Sequence, residues 1–566
     1  MRQNKIITRF SILLGVLFFW GNSFAQISLS INQQTIKQII PQIEKTSGYN
    51  VFYTDKLPNL DTRKDLLVSN APLEATLKEL FKGTKITFEI KPNKQVLLFQ
   101  QANKPSGNRK QVPSKLLVEA ESFDRKGGWV VDQQFMDLMG SPYLMAHGMG
   151  VPVEDASTTI SFPEDGTYYV FVRTYNWTSP WYDGKGPGKF TLAVDNKKLP
   201  VVLGDEGKQW MWQPAGTVSV KAGSSSLTLK DLTGFNGRCD AIYFTTEKGQ
   251  LPPAQATQLT DFRKKMLDIP AEPEQYSYDV IVTGGGIAGM CAAATASRLG
   301  CKVALINDRP VLGGNNSSEV RVHLGGNIGV GPNSGLGRMI REFGHSKEGN
   351  AKPAANYEDE KKELFIANEK NITLYANYRA ISVKPDGNRI ESVIIKHIEN
   401  GKEVELKAPL FSDCTGDGTI GYLAGADYNM GRESRAEYGE ELAPIQPDKM
   451  TMGSSVQWYS ADKGKPTRFP IFSYGLQFNE KNCEKVTMGE WKWETGMNFN
   501  QIDDFERIRD YGLMVIYSNW SFLKNELKDN KKYKNRALDW VAYIAGKRES
   551  RRLLGDYILK QDISVH

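Results

Sequence analysis

Gly284, Gly286 and Gly289 stand in G-x-G-x-x-G spacing within YDVIVTGGGIAG. Such a triplet cradles phosphates when a strand leads into it and a helix leaves it. The first glycine allows a sharp turn, the second lets backbone approach a pyrophosphate, and the third lets helix and strand pack closely. The flanking residues supply that context. Residues 279–282 are an apolar run of strand type, MCAAATASRLG reads as a small-residue helix, and residues 303–306 form a second strand. A helix starting here turns its first N–H groups and positive dipole end toward an anion. These three glycines and Gly285 are the expected cofactor-binding turn; the bland alternative is a glycine-rich turn with no ligand.

Other residues with chemistry follow. An acidic residue about 20 positions past the motif holds ribose hydroxyls in such sites. Here the second strand ends at Asn307 with Asp308 after it, and either could serve. Arg309 opens RPVLGG, which closes on the pair Gly313–Gly314, and Thr415, Gly416, Asp417 and Gly418 form a tight turn before another small-residue helix. The chain has 5 histidines. Imidazole titrates near neutrality, which suits general-base work, and His323 in EVRVHLGG is the candidate. His345 lies in a glycine-flanked loop, and His397 sits in mid-strand, where a structural role is expected. Asn315, Asn316, Ser317, Ser318, Glu319 and Arg321 could line a ring or bind a sugar, or only cap a helix and satisfy a loop.

The elements that must position these groups lie in a long chain. Its 566 residues imply several domains, and 40% hydrophobic with 24% charged residues is ordinary globular composition. A net charge of +6 without a basic stripe makes no case for nucleic acid. Residues 1–25 carry Arg2, Lys5 and Arg9, then an apolar stretch and a small-x-small site at Ser23-Phe24-Ala25. That is a signal peptide, with an apolar run too short to span a bilayer comfortably. Export is therefore expected, with no transmembrane span in the mature chain. Five cysteines lack C-x-x-C spacing, which excludes metal and redox motifs; Cys291 and Cys301 read as small buried thiols.

Residues 26–100 read as a small α+β domain in the order strand–helix–strand–strand–helix–strand–strand, and residues 101–114 as a polar linker. Residues 115–247 alternate in short strands broken by Gly, Asp and Pro, as in an all-β sandwich. Residues 248–275 are a second, partly helical connector. Residues 276–566 form an α/β Rossmann-like dinucleotide domain. In it TLYANYRAISVKPDG, RIESVIIKHIENG and KEVELKAPLFSDC read as three consecutive strands joined by strong turns.

Three resemblances extend this reading. APLEATLKELFKGTKITFEI and SGYNVFY resemble the short N-terminal domain of secretins and TonB-dependent transporters, which implies an interaction module of a Gram-negative cell envelope, facing the periplasm. LLVEAESFDRKGGW, FPEDGTYYVFVRTYNW and GRCDAIYFT resemble carbohydrate-binding modules with a jelly-roll or galactose-binding-like sandwich. That implies Trp177, Trp181 and Tyr182 on one loop, and Trp210 with Trp212, as sugar platforms; the alternative is core or hinge aromatics. Related sandwiches hold structural calcium near the places of Glu119, Glu121 and Asp240, whose carboxylates suit that ion but could equally be solvated.

VALINDRPVLGGNNSSEVRV, SDCTGDGTIGYLAGA and RESRRLLGDYIL resemble a family of FAD-dependent oxidoreductases whose exported members accompany polysaccharide breakdown. The resemblance implies FAD held by the glycine turn, the Asn307/Asp308 corner, the Gly313–Gly314 turn and the 415–418 turn. It implies hydride transfer with a carbohydrate or glycoside hydroxyl carbon, chemistry the cofactor itself supplies. Such proteins close on a final strand and glycine-rich turn that this sequence does not reach by His566. The flavin side of the site is therefore expected to be only partly built. The competing expectation is a non-catalytic carbohydrate-binding or envelope-sensing protein with a degenerate flavin domain; an NAD-dependent enzyme is disfavoured by the Gly-Gly turn and the strand triplet.

Overall fold

The computed structural model describes residues 26–54, 57–91, 94–100, 113–326, 334–344, 349–490 and 493–561. The expected signal peptide, most of the 101–114 linker and His345 lie outside the described residues. The chain forms two compact units, Met1–Val112 and Pro113–His566.

In the first unit, strand Gln26–Thr35 pairs antiparallel with Arg63–Pro72. Helix Ile36–Ser47 starts in a capping box, with Gln38 N–H donating to Thr35 Oγ1 and Thr35 N–H to Gln38 Oε1, which satisfies two end donors. Its face Ile36, Ile39, Ile40 and Ile43 is fully buried with Leu77 and Leu80 of helix Leu73–Phe81. Strands Asn50–Phe52, Gln95–Gln100 and Ile86–Lys91 form a second small sheet. The element order is the one read from the sequence.

The second unit begins with two four-stranded antiparallel sheets. One runs Met211–Val220, Gly166–Thr174, Ala241–Thr245, Lys115–Glu119, the other Lys197–Lys198, Phe190–Val194, Gly223–Asp231, Ala156–Phe162. Period-2 alternation sends Tyr168, Val170 and Val172 into one core shared with Leu192, Val194, Leu227 and Leu229 of the facing sheet. The opposite face of the first sheet carries Phe171, Trp212 and Tyr243. Helix Ala256–Met266 covers it through Leu259, so this part of the expected connector is packed rather than free.

The α/β part has a parallel sheet ordered Ile372–Ala376, Val303–Asn307, Val280–Thr283, Leu410–Asp413. A separate sheet pairs Tyr378–Asp386, Arg389–His397 and Glu403–Lys407 antiparallel, and Glu274–Ser277 joins it in parallel. Two of the three strands expected here are therefore each divided between sheets. Asn377, with φ of 59°, turns the chain from the parallel sheet into the meander, a conformation Asn tolerates better than most residues. The third run leaves the meander after Lys407 and re-enters the parallel sheet at Leu410.

Helix Phe505–Asn525 is buried along nearly its whole length. It packs Trp520 and Tyr517 with Trp458 of strand Trp458–Asp462, and with Tyr143, Tyr175, Trp177 and Phe235 of the β-sheet region. Among the described residues no helix is long and apolar enough to cross a membrane.

Candidate dinucleotide site

The carboxyl ends of the parallel strands open on a cavity of about 520 Å³, the place where open α/β sheets bind ligands. Three glycine turns build its floor. Gly284 has φ of 105°, and a Cβ there would lie 2.2 Å from the Cys414 carbonyl oxygen. A Cβ on Gly289 would lie 1.8 Å from the Gly284 oxygen, which is the close helix–strand approach the third glycine of such motifs allows. Gly286 precedes helix Ile287–Arg298, whose first turn has no side-chain cap.

The Gly-Gly turn stacks on this loop. Gly313 N–H donates to the Gly285 carbonyl at 2.9 Å, with φ of 109° and 60° at Gly313 and Gly314. The third turn follows Leu410–Asp413. Asp413, missed in the sequence, organises it by accepting from Thr415 N–H (3.1 Å), Thr415 Oγ1 (2.7 Å) and Ile420 N–H (2.7 Å). Gly416, with φ of 79°, has nothing within 4 Å of where a Cβ would stand. Open backbone here, beside an uncapped helix start, fits the phosphates and ribityl chain of a flavin dinucleotide.

Of the residues singled out from sequence, Gly284, Gly285, Gly286, Asn307, Asp308, Arg309, Gly313, Gly314, Asn315, Asn316, His323, Thr415, Gly416 and Asp417 line the cavity. Gly289 and Gly418 lie behind it; a Cβ on Gly418 would meet Leu553 at 3.1 Å. The Asn307/Asp308 alternative narrows. Asn307 is buried and its amide nitrogen donates to the Arg309 (2.7 Å) and Val311 (2.9 Å) carbonyls, holding the RPVLGG loop. Asp308 carries a half-buried carboxylate 2.8 Å from Arg379.

Arg309 lies 3.5 Å from Glu319; burial pushes the Glu319 carboxyl up while Arg309 pulls the other way. His323 packs Nδ1 and its own N–H against Asn350 Oδ1, each at 3.0 Å. His397 is not on the cavity; its Nδ1 accepts from Glu399 N–H, the structural role expected.

Residues without local motifs complete the walls: Gln133 and Gln134 from the β-sheet region, Tyr378 and Arg379 at the start of strand Tyr378–Asp386, and Phe505, Ala545 and Lys547. Lys547 Nζ pairs with Asp417 at 2.9 Å, and Ser550 Oγ donates to the same carboxylate at 2.7 Å. The GKRES segment thus clamps the third glycine turn.

Two expected sites are corrected. The aromatic groups do not form an open platform. Trp177 is 1% exposed and donates from Nε1 to the Phe235 carbonyl at 2.9 Å. Trp212 is covered by the chain around Pro253. Trp210 lies 4.9 Å from both Tyr143 and Tyr175, with Nε1 donating to Glu506, while Trp181 packs on Tyr511 and Tyr182 on Tyr474. Trp177, with the half-buried Trp181 and Trp210, closes a joint within the chain, Trp212 packs under helix Ala256–Met266, and Tyr182 stays half-buried.

Two of the three carboxylates expected for calcium, Glu119 and Asp240, face guanidinium groups, and Glu121 Oε2 is buried without a hydrogen-bond partner. Arg263 donates to Glu119 (2.9 Å) and Asp240 (2.6 Å), and Arg173 to Asp240 (2.7 Å). Among the described residues no group of His, Cys, Asp and Glu could hold a metal ion.

A parallel sheet with glycine turns and an uncapped helix at its carboxyl edge defines a dinucleotide-binding α/β protein. Residues 279–565 match the FAD dependent oxidoreductase family; the chain belongs to that family, whose cofactor is FAD. A stretch of 68 residues is 37% identical to the soluble pyridine nucleotide transhydrogenase of Ectopseudomonas mendocina, covering 12% of this chain and 13% of that protein. The chain thus spans a small fraction of that curated relative's length.

Among solved structures, the myxobacterial chondrochloren halogenase is 18% identical (35% of this chain, 46% of that chain, TM-score 0.22). A family 35 carbohydrate binding module from Clostridium thermocellum is 16% identical (23% and 97%, TM-score 0.20). A geranylgeranyl bacteriochlorophyll reductase-like protein from Thermoplasma acidophilum is 16% identical (33% and 48%, TM-score 0.21). Each likeness is confined to part of the chain.

Proposed function

We propose that this chain is an exported oxidoreductase that uses FAD to transfer hydride between the flavin and a hydroxyl carbon of a carbohydrate or glycoside. The observation that carries the reading is the convergence of three glycine turns and the uncapped start of helix Ile287–Arg298 on one cavity. Bound FAD supplies the hydride chemistry. The chain's own groups bind, orient and move protons. Backbone N–H groups of 285–288 and of Gly314 face the pyrophosphate, while those of Gly284 and Gly313 hold the turns themselves, and Asp308 faces the adenosine ribose. His323, steadied by Asn350, is the group placed to hold a hydroxyl proton at Nε2.

The carbohydrate assignment is supported by the resemblance of residues 116–246 to sugar-binding modules. Because Trp177, Trp181 and Trp210 pack into an internal joint and Trp212 under a helix, sugar recognition is assigned to the cavity rather than to that face. Export and a role at the cell envelope are supported by the composition of residues 1–25 and the resemblance of residues 26–100 to envelope interaction domains.

Purified protein should show flavin absorbance and release FAD on denaturation, and a panel of sugars and glycosides should bleach it anaerobically. Colourless protein that takes up no FAD in excess, while still binding sugar, would establish the non-catalytic alternative.

A further inference from the structure

The β-sheet region and the α/β part meet at one corner of the cavity that no sequence motif reaches. The chain leaving strand Val130–Asp132 puts Gln133 and Gln134 on the cavity wall. Three residues on, Asp137 grips Arg379 with both carboxylate oxygens, at 3.1 Å from Nε and 2.7 Å from Nη2. The remaining terminal nitrogen of Arg379, Nη1, donates to Asp308 at 2.8 Å. Arg379 is thus held between two carboxylates, one from each region, and only 12% of its side chain is exposed. Burial alone would raise the Asp137 carboxyl, but Arg379 beside it holds it below the ordinary value.

The segment that carries Asp137, ending in the short helix Met136–Met139, is itself fixed. Gln134 donates to the Tyr543 carbonyl at 3.0 Å and accepts from Ala545 N–H at 3.2 Å. Asp132 at its start is fully buried and paired with Arg509 at 2.8 Å.

Resting on the FAD reading above, we propose that the β-sheet region is part of the cofactor site: Asp137, through Arg379, positions Asp308 for the ribose hydroxyls of the adenosine half. A guanidinium is a planar fork that prefers to take a carboxylate with two parallel bonds. Asp137 occupies that fork and leaves Arg379 a single contact with Asp308. Without it, the fork is available to close on Asp308 and compete with the hydroxyls for its oxygens. Asp137 and Arg379 are positioning residues in this scheme, and Asp308 is the group that touches the ribose.

The test compares FAD with its 2′-deoxyadenosine analogue on flavin-stripped full-length protein, by quenching of flavin fluorescence. A hydrogen bond to a charged group is lost with the hydroxyl, so the native protein should prefer FAD by roughly tenfold or more. D137N should bring that preference close to parity in protein that still unfolds cooperatively, at a lower melting temperature, R379K should do the same, and D137E should restore it. A D137N variant that keeps the native preference overturns the proposal. So does one that weakens both ligands alike, since that marks the loop as scaffold only. Native protein that binds neither flavin overturns the FAD reading itself, and the proposal with it.

Discussion

Two charged regions of the second unit are built in opposite ways. At the joint between the β-sheets and helix Phe505–Asn525, side chains carry the charge and pair with one another, Nε of Arg238 alone of the Arg238 and Arg509 guanidinium nitrogens being without a partner. Arg238 meets Glu506 and Asp510, Arg509 meets Asp132 and Asp510, and Tyr143 and Tyr175 fill the remaining positions. At the cavity the backbone supplies the donors, and the glycines keep side chains away from them. A buried cluster whose members are mutually paired is structure. Donors gathered at a helix start with no cap await a ligand. Charge density alone would have ranked the joint above the cavity.

Breaking the joint should have the largest effect. Arg509→Ala leaves Asp132 and Asp510 buried without this guanidinium, and removing one partner of a buried pair costs about 3–5 kcal/mol. Urea denaturation reads this directly; a loss below about 1 kcal/mol would place the pair in the class of solvated ion pairs. Trp177→Ala sharpens the same comparison from the apolar side. Emptying a fully buried Trp site costs about 3–5 kcal/mol, whereas a platform residue would leave stability unchanged and remove sugar affinity. Melting and sugar titration on one preparation separate the two.

The contrast also explains what the sequence could and could not disclose. The glycine turn, the Gly-Gly pair and the 415–418 turn were legible because each is a local backbone requirement written in consecutive residues. The joint was not. Tyr175 and Asp510, or Asp132 and Arg509, are more than 300 positions apart, and a Trp in a glycine-rich loop reads alike whether it faces sugar or another part of the chain. Gln134 and Arg379 carry no motif, so their place on the cavity could not be read. Asn377 was the recoverable miss: an Asn between two alternating runs is a candidate for the left-handed turn that divides them. The carboxylates of Glu119 and Asp240 were seen, but not Arg263, which reaches them from a segment read as a connector.

Gly289→Ala tests the cavity as Arg509→Ala tests the joint. The added methyl meets the Gly284 oxygen at 1.8 Å, so backbone must shift, and overpacking of this kind costs about 1–3 kcal/mol. Because the shift falls on the phosphate turn, flavin content should drop by about 10- to 100-fold at tenfold per 1.4 kcal/mol. Full flavin occupancy in this variant would remove the turn from the site.

The smallest effect lies in a second buried cluster, where a carboxylate oxygen of Glu121 lacks a hydrogen-bond partner. Glu119, Glu121 and Asp240 stand beside Arg263, Arg173 and Lys396, and the unpartnered atom, Glu121 Oε2, is buried. Burial pushes the Glu121 carboxyl well up, and Glu119 and Asp240 push it further, against the pull of Arg263. A folded-state value above the unfolded one means that the native state binds this proton more tightly. Stability from this group is therefore complete below the unfolded value of about 4.3 and declines as pH rises through the folded one. Glu121→Gln removes the decline while keeping the shape. It should leave stability nearly unchanged near pH 4 and raise it on the order of 1 kcal/mol at pH 8, where the native chain holds the carboxyl at a cost. Urea midpoints at both pH values read the difference. An equal change at the two, or a loss at pH 8, would mean that the Glu121 carboxylate is held ionised by a counter-charge, for which Lys396 is the nearby group.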